Sequence, residues 1–206
     1  MFEETLIKGS KDKLGILGRS GLLKGAYLAG GTACALQIGH RISVDFDFFT
    51  DKEFIPAIFV KELSKFGSFK EEQANKGTVL GEFEGIRFSL FLYEYPLLFP
   101  VLKYASLDIA DIKDIAAMKI DAIASRGAKR DFIDLYFICQ SGYNLAALLD
   151  FYNKKYKMLG SNLMHIQKSL VFFDDAEQEE MPRMLKKTTW QEIREYFIGE
   201  VKRLVK

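Results

Sequence analysis

The sequence predicts an α+β fold of mixed α/β type in two parts: a strand-bearing core over residues 1–105 and a helical lobe over residues 106–206. Three observations carry this reading. Alternating apolar and polar positions, the mark of a strand with one buried face, occur at 42–49, and two short apolar runs follow at 79–83 and 86–93. Beyond Pro96 and Pro100 the apolar spacing is helical to the end of the chain. With 49% hydrophobic and 14% aromatic residues, the chain can bury a substantial core. At 206 residues it suits one compound domain or two closely packed lobes.

Residues 5–25 alternate Lys/Arg with Leu/Ile at helical spacing. Gly30-Gly31-Thr32 interrupts, and a short helical run over 33–39 follows, so a glycine pair opens a helix. In ISVDFDFF, over 42–49, Ile42, Val44, Phe46 and Phe48 form an apolar face, while Arg41, Ser43, Asp45 and Asp47 share the other. Residues 56–66 read as a helix with Pro56 near its start and Gly67 as its stop. The runs 79–83 and 86–93, joined through Glu84-Gly85, predict a hairpin. Asp111 is placed to cap a helix running to Ser125, with Gly127 just past its end. A further helix covers 131–140 and stops at Gly142. Asn144, Ser161 and Thr189 each precede helical patterns, and Thr189-x-x-Glu192 forms a capping box. The acidic run 174–180 reads as a solvated loop.

Composition narrows the function classes. The 29 basic and 28 acidic residues leave a net charge of +1, so an anionic partner must be met by a local patch rather than a global field. Cys34 and Cys139 stand alone, outside any zinc or disulfide spacing, which fits a reducing compartment. The N-terminus lacks the apolar stretch of a secretion signal. The most apolar window, 86–102, is broken by Arg87, Glu94, Pro96 and Pro100. The expectation is a soluble, cytoplasmic protein with no membrane partner.

Chemistry concentrates in residues 28–50, LAGGTACALQIGHRISVDFDFFT. Gly30 and Gly31 let a phosphate approach the backbone, and amides that open a helix point toward such an anion. Thirteen residues separate Gly31 from Asp45, enough for one helix and a return into the strand. Two apart on that strand, Asp45 and Asp47 present neighbouring carboxylates. Hard oxygen ligands of this kind suit Mg²⁺ bridging protein and substrate phosphates. A glycine pair alone is often only a tight loop, and Asp-x-Asp alone is often a solvated strand face; their combination beside a buried surface favours a site.

GG, thirteen residues, then Asp-hydrophobic-Asp-hydrophobic resembles the signature of the polymerase β-type nucleotidyltransferase superfamily. GGTACALQIGHRISVDFDFF is similar, more specifically, to the abortive-infection nucleotidyltransferase toxins of the AbiEii/AbiGii type. DIKDIAAMKIDAIASRGAKRDFIDLYFI resembles that family's later motifs, and the resemblance runs over nearly the whole chain. It implies a polymerase β-like core with a small mixed sheet flanked by helices, followed by a helical C-terminal lobe that completes the active-site cleft. It further implies transfer of a nucleoside monophosphate from a nucleoside triphosphate, an RNA or tRNA 3′ end as acceptor, an antitoxin partner, and two Mg²⁺ ions, with Mn²⁺ as an alternative. Gly30, Gly31 and Thr32 match the phosphate loop, Asp45 and Asp47 the metal ligands, and Lys119 the lysine of the second motif. Arg130, Asp131 and Asp134 match the later Lys-Asp-x-x-Asp, with arginine in place of lysine.

Lys119 also stands out by itself. It interrupts the helical stripe Ile112, Ile115, Ala116, Ala122, Ile123, either as a snorkelling lysine or as a triphosphate contact, which is the favoured reading. Asp131 and Asp134 share a helix face, as helix-start acids or as site residues, and Arg126, Lys129 and Arg130 stand ready to pair with them or with phosphates. Arg41 and Ser43 share the aspartate face and are candidate nucleotide contacts; His40 and His165 show no partner. The third carboxylate that the superfamily often carries falls on Ser89, on the face of Arg87, Phe91 and Tyr93. A base must then come from elsewhere, with Asp131 as the candidate. The readings are an RNA-directed transferase, an antibiotic-type small-molecule transferase, and a nucleotide-binding pseudoenzyme.

Overall fold

The computed structural model describes residues 1–157 and 163–204. Among them, seven strands form one mixed sheet: β1 (Ala26–Leu28), β2 (Phe46–Thr50), β3 (Phe69–Asn75), β4 (Thr78–Phe83), β5 (Ile86–Leu92), β6 (Leu102–Tyr104) and β7 (Leu107–Ile109), in the order β3-β4-β5-β2-β1-β7-β6. The β2–β5 and β1–β7 pairs are parallel and the rest antiparallel. α1 (Ser10–Ser20), α2 (Gly30–Ile38) and α3 (Pro56–Leu63) accompany the sheet. α4 (Ile112–Arg126), α5 (Lys129–Gln140), α6 (Leu145–Tyr156), α7 (Leu163–Ser169), α8 (Asp174–Glu177) and α9 (Trp190–Leu204) follow it.

Several boundaries move from the sequence expectation. The strand begins at Phe46 rather than at 42; Ser43 and Arg41 make only single bridges, to Leu6 and Met184. The apolar face is correspondingly shorter than expected: Phe46 and Phe48 are buried, but Val44 is 47% exposed. α2 starts at Gly30, so the glycine pair lies inside its first turn. The acidic run 174–180 contains the short helix α8 instead of being all loop. The helix start expected at Ser161 lies outside the described residues.

Strands that the alternation did not announce are β1, β3, β6 and β7. β1 is three residues long and buried on both faces, so it has no alternation to display. β3, FKEEQAN, is a polar edge strand, where charge deters further pairing. β6 and β7 contradict the helical reading beyond Pro100, and β7 pairs with β1, which carries the sheet past residue 105. Three hairpins turn through two residues at positive φ: Lys76-Gly77, Glu84-Gly85 and Ala105-Ser106. Such turns match the twist of paired strands, but only the first two contain the glycine that betrays them.

The helix signals of the second half hold in detail. The Asp111 carboxylate accepts from the Lys113 amide at 2.9 Å, and Gly127 ends α4 at φ 58°. The Asn144 side chain accepts from Ala147 N at 2.8 Å. Thr189 and Glu192 form the capping box, with the Thr189 amide donating to Glu192 at 2.7 Å and the Glu192 amide donating to Thr189 Oγ1 at 3.2 Å. α5 packs on α9 through Phe132, whose ring meets Trp190 and Phe197 at 5.8 and 5.6 Å. Among the described residues no single helix is long and apolar enough to cross a membrane.

Candidate active site

One cavity of about 510 Å³ is lined by Gly30 and Gly31 from α2, Asp45 and Asp47 from the β2 segment, Ser89 from β5, and Lys119, Arg126 and Arg130 from α4 and α5. The register explains the floor: Asp47 pairs with Ser89 and Ser89 with Leu80, so their side chains rise from one face of the sheet. The Ser89 hydroxyl donates to Asp47 Oδ1 at 2.7 Å, beside the aspartates as the family resemblance together with strand parity implies. Behind them Phe46, Phe48 and Phe88 are buried in the core.

The glycines are there for proximity. A Cβ on Gly30, whose φ is +64°, would stand 2.5 Å from Asp47 Oδ2, and one on Gly31 would collide with Arg41 Nη2. Gly30→Ala is therefore expected to cost 1 kcal/mol or more, on the order of the strain of a non-glycine residue at positive φ plus the collision. Equilibrium denaturation measures it; an unchanged midpoint would mean that Asp47 simply rotates away. Thr32 lies behind the wall: its hydroxyl donates to the Asp45 carbonyl and sits 3.0 Å from Ser43 Oγ, tying α2 to the aspartate segment.

Asp45 and Asp47 fit a cation. Among the described residues Asp47 has no ion-pair partner, and Asp45 has only Arg130, whose Nη1 is 3.7 Å from Oδ2. Burial, with the neighbouring Asp45 charge, pushes the Asp47 carboxyl above its ordinary range despite the Ser89 hydrogen bond. An added divalent ion would relieve that repulsion. A second group, Cys34, His40 and Asp134, brings ligand atoms together but does not fit. Both Asp134 oxygens are already taken, and a metal would sit against two buried cations.

Those cations are Arg41 and Lys119. Asp134 Oδ1 accepts from Arg41 Nε at 2.6 Å and from His40 Nε2 at 2.7 Å; Oδ2 accepts from Arg41 Nη2 at 2.9 Å and stands 2.6 Å from Lys119 Nζ. His40 thus has the partner that the sequence did not show. Burial holds its imidazole below the usual value, hence neutral. Burial opposes the Lys119 charge, but Asp131 and Asp134 outweigh it and raise the ammonium's pKa. Asp131 accepts from Lys119 at 2.8 Å and from Arg126 at 2.8 and 3.1 Å.

This arrangement corrects the expected role of Asp131. It is fully buried, does not line the cavity, and is held below the ordinary carboxylate range by Lys119 and Arg126 against the cost of burial. A carboxylate so paired is a poor base. Asp134 likewise stands behind the cavity wall. Lys129 is directed elsewhere, donating to the Glu179 carbonyl with its ammonium 5.1 Å from the Trp190 ring centre. Arg41 and Ser43 do line the cavity, though the Arg41 fork is committed to Asp134.

Sequence reading missed other wall residues. The segment after α8 returns to the core, where the Ile42 amide donates to Arg183 O at 2.9 Å and the Leu185 amide donates to His40 O at 2.8 Å. This brings Pro182 and Arg183 to the cavity. Arg87, and Glu72 at the β3 bulge between Glu71 and Gln73, complete it. Arg87 was legible by parity with Ser89; Glu72 and Arg183 carry no local signal. Asp47, Ser89, Leu80 and the bulge lie on successive strands, which sets Glu72 three strands away from Asp47.

Residues 91–203 match the family model described as the nucleotidyl transferase AbiEii toxin of type IV toxin–antitoxin systems. The chain is 40% identical over 187 residues to the "Uncharacterized protein aq_aa25" of Aquifex aeolicus (strain VF5), covering 88% of this chain and 89% of that one. It shares the fold of JHP933 from Helicobacter pylori with a TM-score of 0.55 and 16% identity, over 95% of this chain and 90% of that one.

Proposed function

Since the chain belongs to the AbiEii nucleotidyltransferase toxin family, we propose that it transfers a nucleoside monophosphate from a triphosphate to an RNA 3′ hydroxyl, with tRNA the leading candidate. The observation that carries the RNA reading is the wall around Asp45 and Asp47, where four exposed arginines, Arg87, Arg126, Arg130 and Arg183, converge. An enclosed acidic or aromatic pocket would favour a small hydroxylated acceptor; an open basic cleft favours a polyanion. The strand-bearing half acts as the catalytic core, and the helices after it complete the cleft. The family's type IV toxin–antitoxin assignment makes an antitoxin the expected protein partner, and an RNA acceptor puts the site of action in the cytoplasm.

Asp45 and Asp47 would hold Mg²⁺, which when bound offsets the triphosphate charge. Gly30 and Gly31 hold the start of α2 close against Asp47 and Arg41, and Lys119, Arg126 and Arg130, which line the same cavity, would meet the triphosphate. The acceptor oxygen forms its bond to the α-phosphorus as the α–β bridge bond breaks, its proton passes to solvent water, and pyrophosphate leaves with the electrons of the broken bond. Asp131 acts through Lys119 and Arg126 as a positioning residue. Asp131→Asn is expected to raise the triphosphate KM roughly tenfold with a smaller change in kcat, on the scale of removing a supporting carboxylate. A lost kcat at unchanged KM would instead restore Asp131 as the base.

The direct test is incubation with each labelled triphosphate, Mg²⁺ and total RNA. Label in the RNA fraction, abolished by EDTA, supports the proposal. Triphosphate binding without transfer to RNA or to small hydroxylated compounds would favour the pseudoenzyme, and transfer to the small compounds alone would overturn the RNA acceptor.

A further inference from the structure

A second cavity, of about 320 Å³, opens between the C-terminal end of α4 and the α7–α8 segment. Arg126 lines both this cavity and the Asp45/Asp47 cleft, so the two are neighbours across one side chain. Its walls include exposed His165 and Lys168 and the ring of Phe172, which is 54% exposed. Phe172 has no visible structural duty, because the next residue, Phe173, is the one that packs inward, against Phe132 and Trp190. Of the five nearby acids, Glu177 pairs with Arg194 at 2.8 Å and Glu179 accepts from the Lys129 amide at 3.0 Å, while Asp174, Asp175 and Glu180 are exposed and only Asp175 stands in the wall. An exposed ring beside Lys168 and Arg126 is the chemistry that holds single-stranded nucleic acid, one base stacking while phosphates meet the charges.

We propose that this cavity seats a nucleotide of the acceptor RNA strand upstream of the reacting 3′ end, with Phe172 stacking on its base and Lys168 and His165 facing its phosphates. This rests on the RNA reading of the main cleft. It makes Arg126 the post between the two sites, and gives the acceptor a sequence-tolerant grip that leaves the triphosphate site untouched.

The test uses the full chain and a fluorescein-labelled single-stranded oligoribonucleotide of about ten nucleotides, followed by anisotropy, with triphosphate binding measured in parallel. Phe172→Leu keeps an apolar side chain and removes the ring; it should weaken the oligonucleotide about tenfold. Phe172→Trp should restore it, and neither should change triphosphate binding. Lys168→Ala should weaken binding and lower the salt slope by about 0.7, the share of one single-strand phosphate. Binding unchanged in both Phe172→Leu and Lys168→Ala, while Arg130→Ala and Arg183→Ala weaken it, would overturn the second site and leave the RNA reading standing. No oligonucleotide binding by the unaltered protein, with triphosphate still bound, would overturn both.

Discussion

Asp47→Asn is expected to lower nucleotide transfer by roughly 10³-fold, about 4 kcal/mol of transition-state stabilisation, without harming the fold. The substitution removes one charge and almost no volume, and the amide oxygen still accepts from Ser89, now 2.7 Å from Oδ1. The structure adds a second expectation. Burial and Asp45 hold the Asp47 carboxyl above its ordinary range, so the folded state disfavours its ionised form. A carboxyl raised in the folded state lowers stability as pH climbs from the unfolded value through the folded one. Removing the charge should therefore leave the melting temperature near neutral pH unchanged or higher. Single-turnover transfer and a thermal melt read the two effects. Near-normal transfer would remove Asp47 from the mechanism, and a large loss of stability would mean that it serves the fold.

Asp134→Ala should have the opposite profile, a loss of about 3–5 kcal/mol of stability. The side chain is fully buried and supports Arg41, Lys119 and His40 together. Without it two buried cations lose their shared counter-charge. Against a total stability of about 5–15 kcal/mol this is enough to unfold a marginal protein. The pH dependence has a definite sign. Arg41 and Lys119 hold Asp134 well below the ordinary carboxylate value, more than offsetting the burial that would raise it. Its contribution is thus fully present above the unfolded value of about 3.9 and is lost as pH falls toward the folded one. His40, neutral through burial, adds to the acid loss beginning near its unfolded value of about 6.5. Denaturant titrations across pH 3–7 should show a steep acid limb in the unaltered protein and a flatter one in Asp134→Ala. Equal stability of the two at neutral pH would refute the buried network as a support.

Asp131 and Asp134 share a helix face with basic residues just upstream, a spacing that allows pairing with those cations. The choice between pairing with protein and pairing with phosphate was not available in the spacing. It depends on Arg41, ninety-three positions from Asp134, reaching across from the core to fill that carboxylate. The same contact explains why His40 looked idle: its partner is on a distant helix.

The sequence by itself determined what depends on neighbours in the chain. The alternation at Asp45 and Asp47, the parity of Ser89 with Arg87, the Glu84-Gly85 turn and the caps at Asp111, Asn144 and Thr189 are short-range consequences of backbone geometry. Together with the family resemblance, they imply one cleft shared by two carboxylates, a hydroxyl and two glycines. Only the tertiary structure decided which charges are buried and which stay exposed. Lys119, Asp131 and Asp134 went to a buried network, whereas Arg87, Arg130 and Arg183 remained exposed on the cleft wall. The reason is electrostatic: a charge leaves water only where an opposite charge from another element meets it, and such meetings are set by packing. Short buried strands such as β1 and the glycine-free turn at Ala105-Ser106 were decided at the same level, since their stability comes from partners far along the chain rather than from their own residues.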